Sequence, residues 1–456
     1  MGDRTRLIFA IILGLITLSV ASWAELPRVN ATDVLSRIEV GRPAEFDNCI
    51  IVGNLDLSAL KIDEPVHFNN SRFQDSANFS STIFNGNAYF LDSRFDIYVD
   101  FIDSAFNSDA DFSGSTFNSD ADFSGSTFNS DADFRNSTFS GYAFFTDSAF
   151  NGNAVLSDEA DFSGSTFNSD ADFRNSTFNS NAYFLGSEFN GDAYFGEAAF
   201  NDTADFVHSK FNVSDFIATK FNKEAQFNDA QFAGIANFDN SRFTGDALFE
   251  NTIFQNTLSL TRTRYDKLFV RWYNIKGGLV YDDAAYMSLM KNFKDLGYFE
   301  DYDSCYFQYR RAHRSQPWPA VNAWEAGLRK IIDYPLEWFY GYGTKPLNAF
   351  LFSLGIIISF GGFWRALGLG GPKDRTKEGL KEGEEWLDGD ITDILGFSVT
   401  VFLSGTKFFI DPPAIPKIEG HSRSLIKKAF VLERLLGALF SILFFIAVSG
   451  TIVRAT

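Results

Sequence analysis

From Phe46 onward the chain sets a large apolar residue at steps of alternately five and six: Phe46, Ile51, Leu57, Ile62, Phe68, Phe73, Phe79, Phe84, and so on to Phe254 and Leu260. Forty positions fit this register and 35 of them are Phe, a spacing that no 3.6-residue helical period produces. Two residues before most of them lies a small side chain, as in Ala110 before Phe112, Ser115 before Phe117 and Ala121 before Phe123. Residues two apart on a strand share a face, so each small residue and its Phe point inward together, and the polar residues that follow turn a corner. The chain must therefore coil. Three sides would alternate between 16 and 17 residues per coil and misalign the layers, whereas four sides always total 22, which stacks Asp109 on Asp131 and Phe112 on Phe134. The pattern predicts a four-sided, mainly β coil over residues 46–260, about ten turns and roughly 48 Å long at ~4.8 Å per turn. The register slips twice, with a second consecutive six from Leu156 to Phe162 and three fives through Phe206, Phe211, Phe216 and Phe221. A break is expected at residues 156–161 and a kink or bulge at the second slip.

The period changes after Asp282. Tyr286, Leu289, Met290, Phe293 and Leu296 lie at helical spacing, and Tyr302, Cys305, Tyr306, Tyr309 and Ala312 form a second helical stripe ending in Arg310, Arg311 and Arg314. This pair is expected to cap the open end of the coil, where unpaired strand edges would otherwise lie bare. Residues 323–342 read as an amphipathic stretch along a membrane surface, so that 282–342 forms a helical connector. Two apolar runs follow within 343–456, at 347–367 and 435–453, each about the ~20 residues needed to cross a bilayer. Between them Ile394–Thr406 is too short for a full crossing and suits a re-entrant segment. At the other end, residues 1–24 combine Arg4 and Arg6, an apolar stretch and Ser22-Trp23-Ala24, the pattern of a secretory signal or, if uncleaved, an anchor. Either places residues 46–260 outside the membrane. Lys and Arg agree: Arg365, Lys373, Arg375, Lys377 and Lys381 follow the first crossing, Arg423, Lys427, Lys428 and Arg434 precede the second, and only Arg454 follows it.

Units such as ADFSG, STFNS, ANFDN and AYFLG resemble the pentapeptide repeat family in its variant that lengthens alternate units to six. The resemblance covers residues 46–260 and implies a right-handed quadrilateral β-helix, a fold that does not by itself name a function. Residues 340–454 resemble the two-helix potassium-channel module that accompanies such repeats in some microbial proteins. Phe397-Ser398-Val399-Thr400 is similar to the end of that module's pore helix. The TVGYG filter is absent: Thr400 is followed by Ser404, Gly405, Thr406 and Lys407, with one glycine and an ammonium where carbonyl cation sites are expected. With the repeats outside, the re-entrant loop also falls on the side opposite to a channel's. A degenerate anchor, rather than a working filter, is the expectation.

Charge adds a further constraint. The chain is -19 overall, but residues 46–260 alone carry 32 acidic against 9 basic side chains. Such a surface repels nucleic-acid phosphates, and no nucleic-acid partner is expected. S-D-A-D-F units place Asp109, Asp111, Asp131 and Asp133 in outward stacks, candidates for calcium, although no glycine-bracketed loop with a bidentate Glu accompanies them. Two cysteines cannot build a disulfide framework; Cys49 falls on an inward small-residue position. Four scattered His residues make no metal cluster, and no nucleophile, base and orienter assemble from the motifs, so neither cofactor nor enzyme activity is expected. Asn-x-Ser/Thr triplets at Asn30, Asn69, Asn78, Asn136, Asn175, Asn201 and Asn212 follow from the composition of the repeat. The sequence thus reads as a membrane-anchored, extracytoplasmic, non-catalytic binding or spacer rod. Its partners would be membrane lipid, an unknown protein or surface, and further copies of itself. An ion channel regulated by its repeats is the alternative and an acidic DNA mimic the remote one.

Overall fold

A computed structural model describes residues 26–151, 159–316, 323–369, 384–385, 390–406, 410–416 and 422–455. The chain divides between Asn292 and Phe293 into two compact units.

The first unit is a parallel β-helix with four strands to a coil. Each strand is about two residues long and pairs in parallel with the strand one coil on, as Ala88 with Ala110 and Ala110 with Ala132. Every inward position is filled. Within a column Phe rings stack nearly parallel, Phe101 on Phe123 at 4.7 Å and Phe112 on Phe134 at 4.9 Å. Across the interior, rings meet edge to face, Phe112 and Phe123 at 5.4 Å and 84°. Both arrangements suit the ring quadrupole, and the second locks adjacent columns together. Small inward residues leave room for these rings, and the inward Ser and Thr hydroxyls are satisfied by the coil behind: Ser104 Oγ donates to the Phe79 carbonyl and Ser126 Oγ to that of Phe101. On the outside an amide ladder climbs one corner, Asn107 Nδ2 donating to Asn85 Oδ1, Asn129 to Asn107 and Asn151 to Asn129. Alternate corners adopt a left-handed backbone, most often at Gly, Asn or Asp, as at Gly114 and Gly125 (φ 70° and 68°), but also at Ala59, Ser81 and His208.

The rod is longer than the Phe register alone suggests, because one face holds eleven strands. Pairing starts at Arg28–Asn30, which joins Ile50–Val52, and runs to Leu268–Phe269. The outer strands lack the Phe signature, so periodicity could not find them.

The expected break at residues 156–161 does not interrupt the core. Ala132 pairs with Ala160 and Asn151 bonds to Asn179, 28 residues on rather than 22, while Phe134 still stacks on Phe162 at 4.8 Å and Phe150 on Phe178 at 4.7 Å. The column passes directly from Phe134 to Phe162; Leu156, which the five-and-six register counts between them, lies outside the described residues. A corner can absorb surplus residues as an external loop, because the strands on either side keep their partners. The second slip is a coil of 21 residues. There Glu188–Tyr194 and Lys210–Asp215 run through a corner as continuous strands with a register shift between Phe189 and Asp192, and Phe195 stacks on Phe216 at 4.9 Å.

Both ends of the rod are closed. Helix α1 (Ala31–Glu39) buries Val34 and Ile38, with the Arg37 guanidinium over the Phe46 ring. At the far end α2 (Trp272–Ile275) buries Trp272 and Ile275, and α3 (Asp283–Asp295) packs Tyr286 against Trp272. The buried Asn292 carboxamide accepts from Leu268 N at 3.0 Å and donates to Leu268 O at 2.8 Å. A primary amide carries the same donor and acceptor as a peptide, so Asn292 stands in for the next coil.

The second unit contains α4 (Phe299–Ser315), α5 (Ala323–Tyr340), α6 (Pro346–Ala366), α7 (Ile391–Leu403) and α8 (Arg423–Ala455). Arg310 and Arg314 join α4 to Asp333 of α5 at 2.8 and 3.2 Å, and Arg314 also reaches Glu337 at 2.6 Å. The Tyr342 hydroxyl donates to Asp333 at 2.6 Å from a buried Gly-Tyr-Gly turn whose three residues all have positive φ, a backbone that the two glycines permit. α6 and α8 are long and apolar enough to cross a membrane. They lie antiparallel, Phe352 against Phe440 and Trp364 against Glu433.

Candidate functional site

The acidic stack and the segment after α7 are the two regions that the sequence singles out. On the rod, Asp109, Asp111, Asp131 and Asp133 come together with Tyr89, Arg135, Glu159 and Asp161 around an open concavity of about 290 Å³. Each of the four aspartates accepts at least one hydrogen bond. Asp111 Oδ1 and Asp133 Oδ1 each accept at 2.9 Å from the backbone N–H two residues on, capping a corner, and Arg135 clasps Asp133 with both Nε and Nη2. Asp109 accepts from the Ser130 hydroxyl at 2.7 Å and Asp131 from Glu159 N at 2.8 Å. The same corner device recurs at Asp122, Asp161, Asp172, Asp205 and Asp215, which explains why Asp follows the inward Ala so often. Among the described residues no three His, Cys, Asp or Glu side chains converge on one point.

Stacked charge and partial burial disturb titration along these faces. Burial, aided by Asp122 and Asp103, pushes the Asp100 carboxyl up, and burial does the same at Asp205, Asp215 and Glu159. The Tyr98 hydroxyl is pushed up to about 12 by burial and by Asp100, Asp122 and Asp120. Cys49 and Cys305 are both buried free thiols, and burial raises each of them.

In the second unit α7 begins at a capping box made by Asp390 and Asp393 and has 13 residues, about 20 Å of helix against a ~30 Å hydrocarbon core. It ascends with α8 and against α6: Gly361 lies on Leu395, Trp364 on Phe397 at 5.8 Å, Phe397 on Phe430 at 6.4 Å, and Gly405 on Gly437. This is the geometry of a helix that enters and stops part-way along its long neighbours.

At the positions of the expected degenerate filter the hydrogen bonds are local. Thr400 Oγ1 donates to its own helix at Gly396 O, Ser404 Oγ to Val401 O at 2.7 Å, and Gly405 N to Phe402 O. A Cβ on Gly405 would overlap the Arg434 carbonyl, and one on Gly437 would overlap that of Phe402, so the two backbones touch. Arg434 Nη2 donates to the Ser404 carbonyl at 3.3 Å, setting a guanidinium at the negative end of the α7 dipole. Thr406 is half-buried, and Lys407 lies outside the described residues.

Sequence reasoning missed the most buried polar cluster of this unit. Glu433, fully buried, accepts from Trp364 Nε1 at 2.8 Å on Oε2, and its Oε1 lies within hydrogen-bond distance of Ser398 Oγ, which is also 2.9 Å from the Ile357 carbonyl. The run beginning at Leu435 leaves Glu433 outside the apolar crossing, whereas α8 starts at Arg423 and carries Glu433 into contact with α6 and α7. The only local signal was a carboxylate two residues before an apolar run.

The sequence profile of pentapeptide repeats matches residues 61–104, 112–158, 152–199 and 216–264, in nine copies. The β-helix belongs to that family, and the chain is a pentapeptide-repeat protein with two helices capable of crossing a membrane. No curated protein and no solved structure matches it.

Proposed function

We propose that this protein is a membrane-anchored rod that acts by binding or spacing, without catalysis, and that its repeats lie on the extracytoplasmic side. The observation that carries the anchoring is the outer surface of α6 and α8. Leu347, Phe350, Leu351, Leu354 and Ile358 on one, and Leu435, Leu439, Ile442, Phe445 and Ile446 on the other, are exposed apolar side chains that lipid would cover. The outward orientation rests on the N-terminal apolar segment and on the Lys and Arg gathered between the crossings. Inside the rod Phe rings leave no cleft, so recognition falls to its acidic faces, which suit a basic protein, a cation-bearing surface or another polar partner.

Thiol accessibility tests the orientation. Cys49 and Cys305 are buried, so both are replaced and a reporter is placed at exposed Ile97 as Ile97→Cys. Reaction with a membrane-impermeant maleimide on intact cells is the expected result. Reaction only after lysis would place the rod inside and favour the second reading.

That reading is a channel-like pore controlled by the repeats. The part-way course of α7 favours it, because non-helical backbone at membrane depth needs protein or water around it, which copies assembled about an axis would provide. Arg434 on the Ser404 carbonyl opposes cation conduction. Cation currents from the full-length protein in planar bilayers would decide for this reading.

A further inference from the structure

The Ser398, Glu433 and Trp364 cluster contains more contacts than an ionised carboxylate can fill. Three contacts meet there: Trp364 Nε1 to Glu433 Oε2 at 2.8 Å, Ser398 Oγ to Glu433 Oε1, and Ser398 Oγ to Ile357 O at 2.9 Å. An ionised carboxylate only accepts, a carbonyl only accepts, and a serine hydroxyl has one proton. With Glu433 ionised, two protons serve three contacts, and Ser398 must face either Glu433 or Ile357 with its lone pairs. A proton on Oε1 removes the conflict. The carboxylic acid then donates to Ser398 Oγ, Ser398 donates to the Ile357 carbonyl, and Oε2 still accepts from the indole.

Among the described residues no countercharge faces the carboxyl. From α6 the carboxyl meets the Trp364 indole, while Arg365 is exposed. From α7 it meets the Ser398 hydroxyl, and Asp393 sits at the exposed start of that helix. On α8 the neighbouring Arg434 is directed to the Ser404 carbonyl, and Lys427 and Lys428 are exposed. Glu433 makes no ion pair among the described residues. Burying a lone charge without a partner costs far more than burying a hydrogen-bonded acid.

We propose that Glu433 is a proton-binding site inside the helical unit, carrying its proton at neutral pH, and that this proton ties α6, α7 and α8 together. The site depends only on packing within that unit and holds whichever side of the membrane the repeats occupy. Loss of the proton at alkaline pH leaves a carboxylate whose shared hydroxyl cannot also hold Ile357, and α7 loosens from α6.

Infrared difference spectroscopy on the full-length protein in lipid vesicles tests this at neutral pH, wild type against Glu433→Gln. Glutamine keeps a carbonyl for Trp364 and an N–H for Ser398. The expected difference is the loss of one protonated-carboxyl C=O band with the carboxylate bands unchanged; loss of carboxylate intensity instead overturns the proposal. Trp364→Phe provides a second readout should the glutamine variant fail to fold. Removing the indole donor should move the same C=O band to higher frequency, and an unmoved protonated-carboxyl region overturns the assignment. On raising the pH, the wild-type band should vanish as the amides of α7 lose protection, measured as exchange beyond its intrinsic base-catalysed rise, with no such loss in Glu433→Gln. Equal loss in both proteins would refute the coupling.

Discussion

Asn292 offers the sharpest test of how the rod ends. Its carboxamide satisfies the N–H and C=O of Leu268 at 3.0 and 2.8 Å, at a position 4% exposed. Asn292→Ala removes both partners and leaves the last coil's backbone groups buried without replacement. An orphaned buried polar group costs about 1–3 kcal/mol, so the variant should lose about 2–6 kcal/mol at this end. Because each coil contacts only its neighbours, the loss should appear as local fraying rather than a global shift. Hydrogen exchange followed by mass spectrometry on the full-length protein should show peptides spanning 258–292 exchanging faster by about thirtyfold or more, at roughly 1.4 kcal/mol per tenfold. Peptides from 105–145 should be unchanged. Asn292→Asp is the internal control. It keeps the acceptor for Leu268 N–H but sets a carboxylate against the Leu268 carbonyl, and protonation restores the missing donor. Its folded state therefore binds the proton more tightly than its unfolded state, so the defect should be largest at neutral pH and shrink on acidification. Unchanged exchange around Leu268 in Asn292→Ala, or equal acceleration in the central coils, would refute the capping argument.

Three further outcomes are expected. Phe123→Ala removes a ring stacked on Phe101 and Phe145 at 4.7 and 4.9 Å, and should cost about 3–5 kcal/mol in denaturant unfolding of the repeat unit. The carboxyls of Asp100, Asp205, Asp215 and Glu159 are pushed up, so they favour the folded state when protonated and lose that contribution as pH rises through their raised values. These four groups should therefore stabilise the rod progressively as pH is lowered from 7 towards the ordinary carboxylate range, against the usual acid denaturation; Asp56 and Asp63, lowered by hydrogen bonds, act oppositely but are solvent-screened. A melting temperature that falls steadily from pH 7 to 5 would contradict this. Gly437→Ala should cost about 1–3 kcal/mol in thermal melts of the helical unit, since its Cβ would overlap the Phe402 carbonyl, while Ser449→Ala on the exposed face should be silent.

The coil was legible in the local spacing of the chain. A step of five and six, with a small residue two places before each Phe, is a local rule repeated forty times, and a solenoid whose contacts recur every 22 residues makes that rule sufficient. Length and hydropathy likewise exposed the two helices long and apolar enough to cross a membrane and the short run between them, because a bilayer's thickness sets the length such a helix needs. Tertiary structure alone decided the rest. The same period counted Leu156 as a rung, but the flanking strands find partners 28 residues apart, because pairing rather than spacing sets the register. The stacking of Asp109, Asp111, Asp131 and Asp133 was legible in the period, but only the packed coils show backbone N–H groups, a serine hydroxyl and Arg135 bonded to them. Asn292 reaches a strand 24 residues back, while Glu433 meets Ser398 across 35 residues and Trp364 across 69. None of these pairings has a period, because each is set by which helix comes to lie against which once the chain has packed.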